Sequence, residues 1–123
     1  MKPRKEGSFL EAIELAKMAI TAAEEKQASD ILLLDTRGVC SFADYFVILT
    51  GESERQLDAI TEEIRQKLKA EGERPLHIEG TSGSGWVLMD YGDVVVHIFS
   101  SEDRDNYALD DLWSNASPVL RIQ

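Results

Sequence analysis

The segment WVLMDYGDVVVHIF, residues 86–99, decides how this chain folds. Two apolar runs flank the dipeptide Gly92-Asp93. A glycine beside an aspartate between such runs signals a β-hairpin closed by two residues. A two-residue loop also fixes the register. Tyr91 then faces Val94, Asp90 faces Val95, Met89 faces Val96, Leu88 faces His97, Val87 faces Ile98 and Trp86 faces Phe99. Successive side chains of a strand point to opposite faces. One face therefore carries Val87, Met89, Tyr91, Val94, Val96 and Ile98. The other carries Trp86, Leu88, Asp90, Val95, His97 and Phe99.

The first face is apolar apart from one phenol and is expected to pack beneath helices. The second mixes aromatic and aliphatic groups with an aspartate and a histidine. Two uses suit it. A protein interface favours such a mixture, with Trp and Tyr as anchors. Alternatively the chain covers this face itself, with Asp90 bonded to its diagonal neighbour His97.

Working outward, the run ILLLD at 31–35 and the run DYFVILTG at 44–51 read as strands covered on both faces. Phe9, Ile13, Ala16, Ile20 and Ala23 recur at helical spacing, and Ser8 with Glu11 has the spacing of a capping box. Ser53 and Gln56 repeat that spacing ahead of a second stripe, Leu57, Ile60, Ile64 and Leu68. Gly72 is placed to end that helix. The segment LHIE at 76–79 reads as an edge strand, GTSGSG at 80–85 as a turn, and 102–113 as a short helix or two turns. The ending SPVLRIQ reads as a last extended segment. The expected architecture is a single α/β domain over residues 8–123, a mixed β-sheet of about five strands with packed helices, preceded by a flexible tail at 1–7.

Composition narrows the function classes. The chain has 123 residues, 43% hydrophobic and 29% charged, which is ordinary for one soluble domain. No apolar run reaches the eighteen or so residues of a membrane span. The single cysteine, Cys40, cannot close an internal disulfide, which fits a reducing compartment. A cytoplasmic location is expected. The formal charge of −10 disfavours nucleic acid and anionic membranes and favours basic partners, besides maintaining solubility.

Signals for catalysis are weak. GTSGSG matches neither the dinucleotide nor the P-loop spacing, and a strand rather than a helix follows it. Ser84, Asp90 and Asp93 could imitate a nucleotidyltransferase site, but metal-assisted phosphoryl transfer needs carboxylates converging on cations about 4 Å apart, and these two lie across a turn. His77 and His97 have no partners at zinc spacing. Nothing local pairs Cys40 with either histidine as a nucleophile. No cofactor and no metal are expected.

Three segments together with Glu79-Gly80 carry a family resemblance. DYFVILTGESERQLDAI (44–60), WVLMDYGDVVVHIF (86–99) and YALDDLW (107–113) resemble the Iojap family of ribosomal silencing factors, RsfS. The resemblance implies a mixed-sheet fold with nucleotidyltransferase-like topology but no transferase chemistry. It implies binding to the large ribosomal subunit through its ribosomal protein number fourteen. That would block joining of the small subunit and repress translation when nutrients are limiting. Homodimers are implied as well. Carried over by position, the partner-binding residues are Trp86, Asp90, Tyr91, Gly92 and Asp93 in the hairpin, and Arg55. Trp86 and Tyr91 would supply apolar contact, and Asp90 and Asp93 would meet basic side chains. Trp113 suits either core packing or the interface. A nucleotide-binding enzyme and a dimeric adaptor remain the alternatives.

Overall fold

The computed structural model describes residues 10–107 and 116–122. The N-terminal tail at 1–7, the cap at Ser8, Phe9 and all of the closing motif but the backbone of Tyr107 lie outside them. Six strands form one sheet: β1 (Ser29–Asp35), β2 (Tyr45–Gly51), β3 (His77–Thr81), β4 (Trp86–Asp90), β5 (Val94–Ser100) and β6 (Ser117–Ile122). Their spatial order is β3-β4-β5-β2-β1-β6. The β2–β5 pair is parallel and the other pairs are antiparallel, so the sheet is mixed. The sixth strand, one more than the sequence suggests, is the C-terminal segment, which adds to the edge beside β1.

Among the described residues there are three helices, α1 (Ala12–Glu25), α2 (Glu54–Ala70) and α3 (Ser101–Tyr107). The first helix starts later than the Ser8 pattern suggests. Glu11 is its N-cap, and the Glu14 carboxylate accepts from the Glu11 backbone N–H at 3.4 Å. Its buried stripe is Leu15, Ala16, Ala19, Ile20, Ala22 and Ala23, wider than expected. The small alanines let α1 sit close to its neighbours. Ser53 caps α2, its hydroxyl accepting from Gln56 N–H at 3.1 Å. The Gln56 side chain does not bond back to Ser53. Instead it accepts from Glu52 N–H at 2.6 Å and donates to the carbonyls of Lys26 and Gln27, both at 3.0 Å. It thus ties the end of α1 to the start of α2. At the other end of α2, Gly72 N–H reaches Lys69 O and Glu73 N–H reaches Leu68 O, both at 2.9 Å. Gly72 is left-handed (φ 82°), as this Schellman closure requires.

The core has two layers. On one face of the sheet, α1 and α2 pack on Ile31, Leu33, Val47, Leu49, Val87, Met89, Val94, Val96 and Ile98. Each fully buried aliphatic side chain here contributes about 1.5–3 kcal/mol. On the other face, Leu32, Leu34, Phe46, Ile48, Val95 and Phe99 form a second cluster with Ala43 and Ala116. This explains why the β1 and β2 runs are continuously apolar: both of their faces are covered.

A candidate partner-binding face

The hairpin adopts the register that its turn dictates, from Trp86 opposite Phe99 to Asp90 opposite Val95. Tyr91 N–H reaches Val94 O at 2.9 Å and closes the turn. Gly92 has φ 90° while Asp93 does not enter the left-handed region, the pattern of a type II′ turn with glycine at its first position. The two faces also separate as alternation requires. Val87, Met89, Tyr91, Val94, Val96 and Ile98 all lie in the helix-side cluster. Val95 and Phe99 lie in the second cluster, with Trp86 and Leu88 packed half-buried at its margin.

The edge strand β3 extends this second face. It pairs antiparallel with β4, setting His77 opposite Asp90, Glu79 opposite Leu88 and Thr81 opposite Trp86. Along the outer strands the face therefore reads Thr81–Trp86–Phe99, Glu79–Leu88–His97 and His77–Asp90–Val95. Every residue of β3 is exposed. His77 Nε2 lies 2.7 Å from Glu79 Oε1, a pair on the open rim. The result is an apolar strip, Trp86 and Leu88, flanked by carboxylates at Glu79 and Asp90.

Aromatic contacts hold Trp86 in place. Its indole N–H donates to His97 Nδ1 at 3.3 Å. Its ring lies 5.2 Å from that of Phe99 and 5.9 Å from that of His97, at 22° and 29°. Phe46 packs on the far side of His97 at 4.9 Å. Burial pushes the His97 imidazole down to about 4, so it is neutral near pH 7. Because Nδ1 accepts from Trp86, the proton sits on Nε2, which is buried and has no hydrogen-bond partner among the described residues. The anticipated Asp90–His97 pair does not form. Asp90 Oδ1 instead accepts from Gly92 N–H at 2.7 Å and braces the turn.

The six residues singled out from the sequence do not form one cluster. Trp86 begins β4, whereas Asp90, Gly92 and Asp93 lie at the opposite end, roughly 13 Å or more away at strand rise. Arg55 is exposed at the second position of α2, beyond the end of β2. That end of the sheet is the Trp86 end, since Gly51 pairs with Ser100. Tyr91 is 2% exposed and faces the helices, on the side of the sheet away from Trp86. Burial raises its phenol well above its usual value. The Asp93 carbonyl accepts from Asp44 and Tyr45 N–H at 2.7 and 3.1 Å, docking the hairpin tip onto the start of β2.

The candidates for phosphoryl transfer are also apart. Ser84 precedes β4 and Asp93 follows it. The Ser84 hydroxyl donates to Thr81 O at 2.7 Å and accepts from Thr81 N–H at 3.2 Å, holding its own loop. Among the described residues no group of three or more His, Cys, Asp or Glu is placed to hold a metal. No helix among the described residues is long and apolar enough to cross a membrane.

The sequence places Leu88 on the second hairpin face and Glu79 on an expected edge strand, but it does not bring the two together. Extending the hairpin register across β3 sets them side by side, but the pairing of an edge strand is not fixed by a tight turn. Arg104 carries no signal in the sequence. It is 6% exposed, donates to Thr50 Oγ1 at 3.0 Å and to the Asp30 carbonyl, and ties α3 to the sheet. Within the run EDRDN it looks like a solvated charge.

The geometry thus defines a small α/β domain that presents a half-open, acid-rimmed sheet face beside a braced hairpin. Residues 10–123 match the family model described as ribosomal silencing factor during starvation, RsfS. The chain is 42% identical over 102 residues to the ribosomal silencing factor RsfS of Bacillus subtilis, covering 83% of this chain and 86% of that one. It is 37% identical over 108 residues to the chloroplastic protein Iojap of Zea mays, covering 88% of this chain and 45% of the relative. A crystal structure of a protein from Chromobacterium violaceum superposes with a TM-score of 0.82 at 38% identity, covering 85% of this chain and 88% of that one. The chain belongs to the RsfS family of ribosomal silencing factors.

Proposed function

We propose that this chain is a translational repressor that binds the large ribosomal subunit through ribosomal protein number fourteen and sterically blocks joining of the small subunit when nutrients are limiting. The observation that carries this proposal is the continuous match to ribosomal silencing factors over residues 10–123. A mouse relative, 30% identical over 100 residues, is named for assembly of the mitochondrial ribosomal large subunit, which agrees with a large-subunit partner. The net charge of −10 suits the basic proteins of the ribosome. The half-exposed strip of Trp86 and Leu88 supplies desolvated contact, and Asp90, with the turn Gly92-Asp93 beyond it, sets register against basic side chains. Tyr91 serves from behind, by fixing the strand end, and Arg55 lies beside the Trp86 end.

Such a repressor works by occupancy, with no catalytic step, cofactor or metal, and in the cytoplasm where subunits join. Slow dissociation is then the property that matters. The test is subunit joining followed on sucrose gradients. Added protein should migrate with large subunits and lower the yield of whole ribosomes. Unchanged joining at saturating protein would refute the proposal.

Self-association is the second use supported by an observation. β6 is an edge strand on which Val119 and Leu120 are 47% and 38% exposed, and an apolar edge invites pairing with a second copy. Light scattering of the purified chain should then give twice the monomer mass, and Val119→Lys should return it to the monomer value. A monomer at all concentrations would exclude it.

A further inference from the structure

At the Trp86 end of the open face lies a small pocket of about 220 Å³ lined by Glu79, Gly80, Ser84, Trp86 and Leu88. Pockets for drug-sized ligands run from about 300 to 1,000 Å³, so this one has the size for a single side chain. Its apolar wall is the Trp86 indole with Leu88. That indole is already fixed by its bond to His97 and its stacking on Phe99. Its polar wall is the Glu79 carboxylate, with 64% of the side chain exposed and Oε1 oriented by His77. Gly80, between the two walls, is a position that only glycine can fill. It is left-handed (φ 81°), and a Cβ there would come within 2.0 Å of the Trp86 carbonyl oxygen. The Ser84 hydroxyl is committed to Thr81 and closes the rim.

We infer that this pocket is a socket for one arginine side chain of a protein partner, stacked on Trp86 and paired with Glu79. The inference rests on the proposal that this face meets the partner, and it adds Glu79 as the residue that sets partner chemistry. A guanidinium is flat, always charged and weakly hydrated, so it can lie on an indole while its edge donates to a carboxylate. An ammonium satisfies the carboxylate but stacks less well. A phosphate or a carboxylate ligand is repelled by Glu79 and by the overall charge of −10, which disfavours RNA as the occupant.

The test titrates the ¹⁵N-labelled full chain with N-acetyl-arginine amide, N-acetyl-lysine amide and N-acetyl-citrulline amide, the last a neutral isostere of arginine. Arginine should shift the Trp86 indole N–H and the Gly80 and Leu88 amides saturably. Lysine should act several-fold more weakly, citrulline should have no effect, and Glu79→Gln should abolish the arginine response. Equal shifts from arginine and citrulline, or an arginine response that survives in Glu79→Gln, overturn the socket. A second arm measures co-sedimentation with large subunits. Glu79→Gln should weaken binding roughly tenfold, as loss of one close charge pair does, while Glu24→Gln, the same change of charge on α1, should leave it unchanged. Equal affinities of the two variants overturn the socket and leave subunit binding standing. Tighter binding by Glu79→Gln, the mark of contact with RNA phosphate, also overturns it. If the wild-type chain does not bind subunits, the proposed function falls and the arginine titration alone decides the socket.

Discussion

The two faces of the β4–β5 hairpin are made by one alternating sequence, yet they do different work. The helix side, Val87, Met89, Tyr91, Val94, Val96 and Ile98, is at most 4% exposed at every position. It contains a single polar atom in a side chain, the Tyr91 hydroxyl. The opposite side holds Trp86 and Leu88 half-buried, His97 and Phe99 buried, and Asp90 bracing the turn. The first face stabilises the fold through area alone. The second places a few polar groups where geometry matters, which is where specificity arises. A period of two lets one hairpin serve both ends, because stability and recognition are assigned to alternate residues.

This contrast can be broken from either side. The largest effect is expected on the helix face. Ile98→Ala removes a fully buried side chain and should destabilise by about 3–4 kcal/mol in chemical denaturation. A loss under about 1 kcal/mol would mean that the layer repacks and is not the rigid support described.

The next effect is a pH dependence carried by His97. In the unfolded chain the imidazole takes a proton near its ordinary value of 6.5, but in the folded chain only near 4. Between these values the unfolded state binds more protons, so stability is full above about pH 6.5 and falls as the pH drops toward 4. The total loss is about 3 kcal/mol, because each step of one pH between the two values removes roughly 1.4 kcal/mol. His97→Gln should remove this component from the pH profile of unfolding, leaving the part due to carboxylates. An unchanged profile would show that His97 is not the buried titrating group.

A smaller effect is expected where α3 meets the sheet. Arg104→Met leaves the Asp30 carbonyl and the Thr50 hydroxyl without that donor and should cost about 2 kcal/mol. Smallest is the effect on the open face. Leu88→Ala should cost only about 1 kcal/mol, since the side chain is half-buried and less area is lost. A loss as large as that of Ile98→Ala would erase the distinction between the faces.

The hairpin was legible in the sequence because a tight turn fixes the register and alternation then fixes the faces. The same parity places Tyr91 among the helix-packed residues, even though a resemblance by position groups it with Trp86. Family position and strand parity give different information, and parity decides where a side chain points. The sixth strand was only partly legible. SPVLRIQ looks extended, but its partner, β1, lies more than eighty residues away, and no local rule pairs them. Asp30, at φ 47° beside an irregularity in β1, is another feature without a local signal. Its backbone is held by contacts to Arg104 from the distant α3. The open face required both kinds of knowledge, local alternation for Trp86 and Leu88 and edge pairing for Glu79.

The most direct test of the claim that the second face of the hairpin meets the ribosome is the affinity of Leu88→Arg for isolated large subunits, measured by co-sedimentation beside its unfolding midpoint. The substitution makes the chain less acidic, so non-specific attraction to RNA should rise. If the face is the binding surface, affinity falls at least about thirtyfold, as for a disrupted hot spot, with the midpoint near that of the wild type. Unchanged or tighter binding by the folded variant would place the contact elsewhere on the molecule.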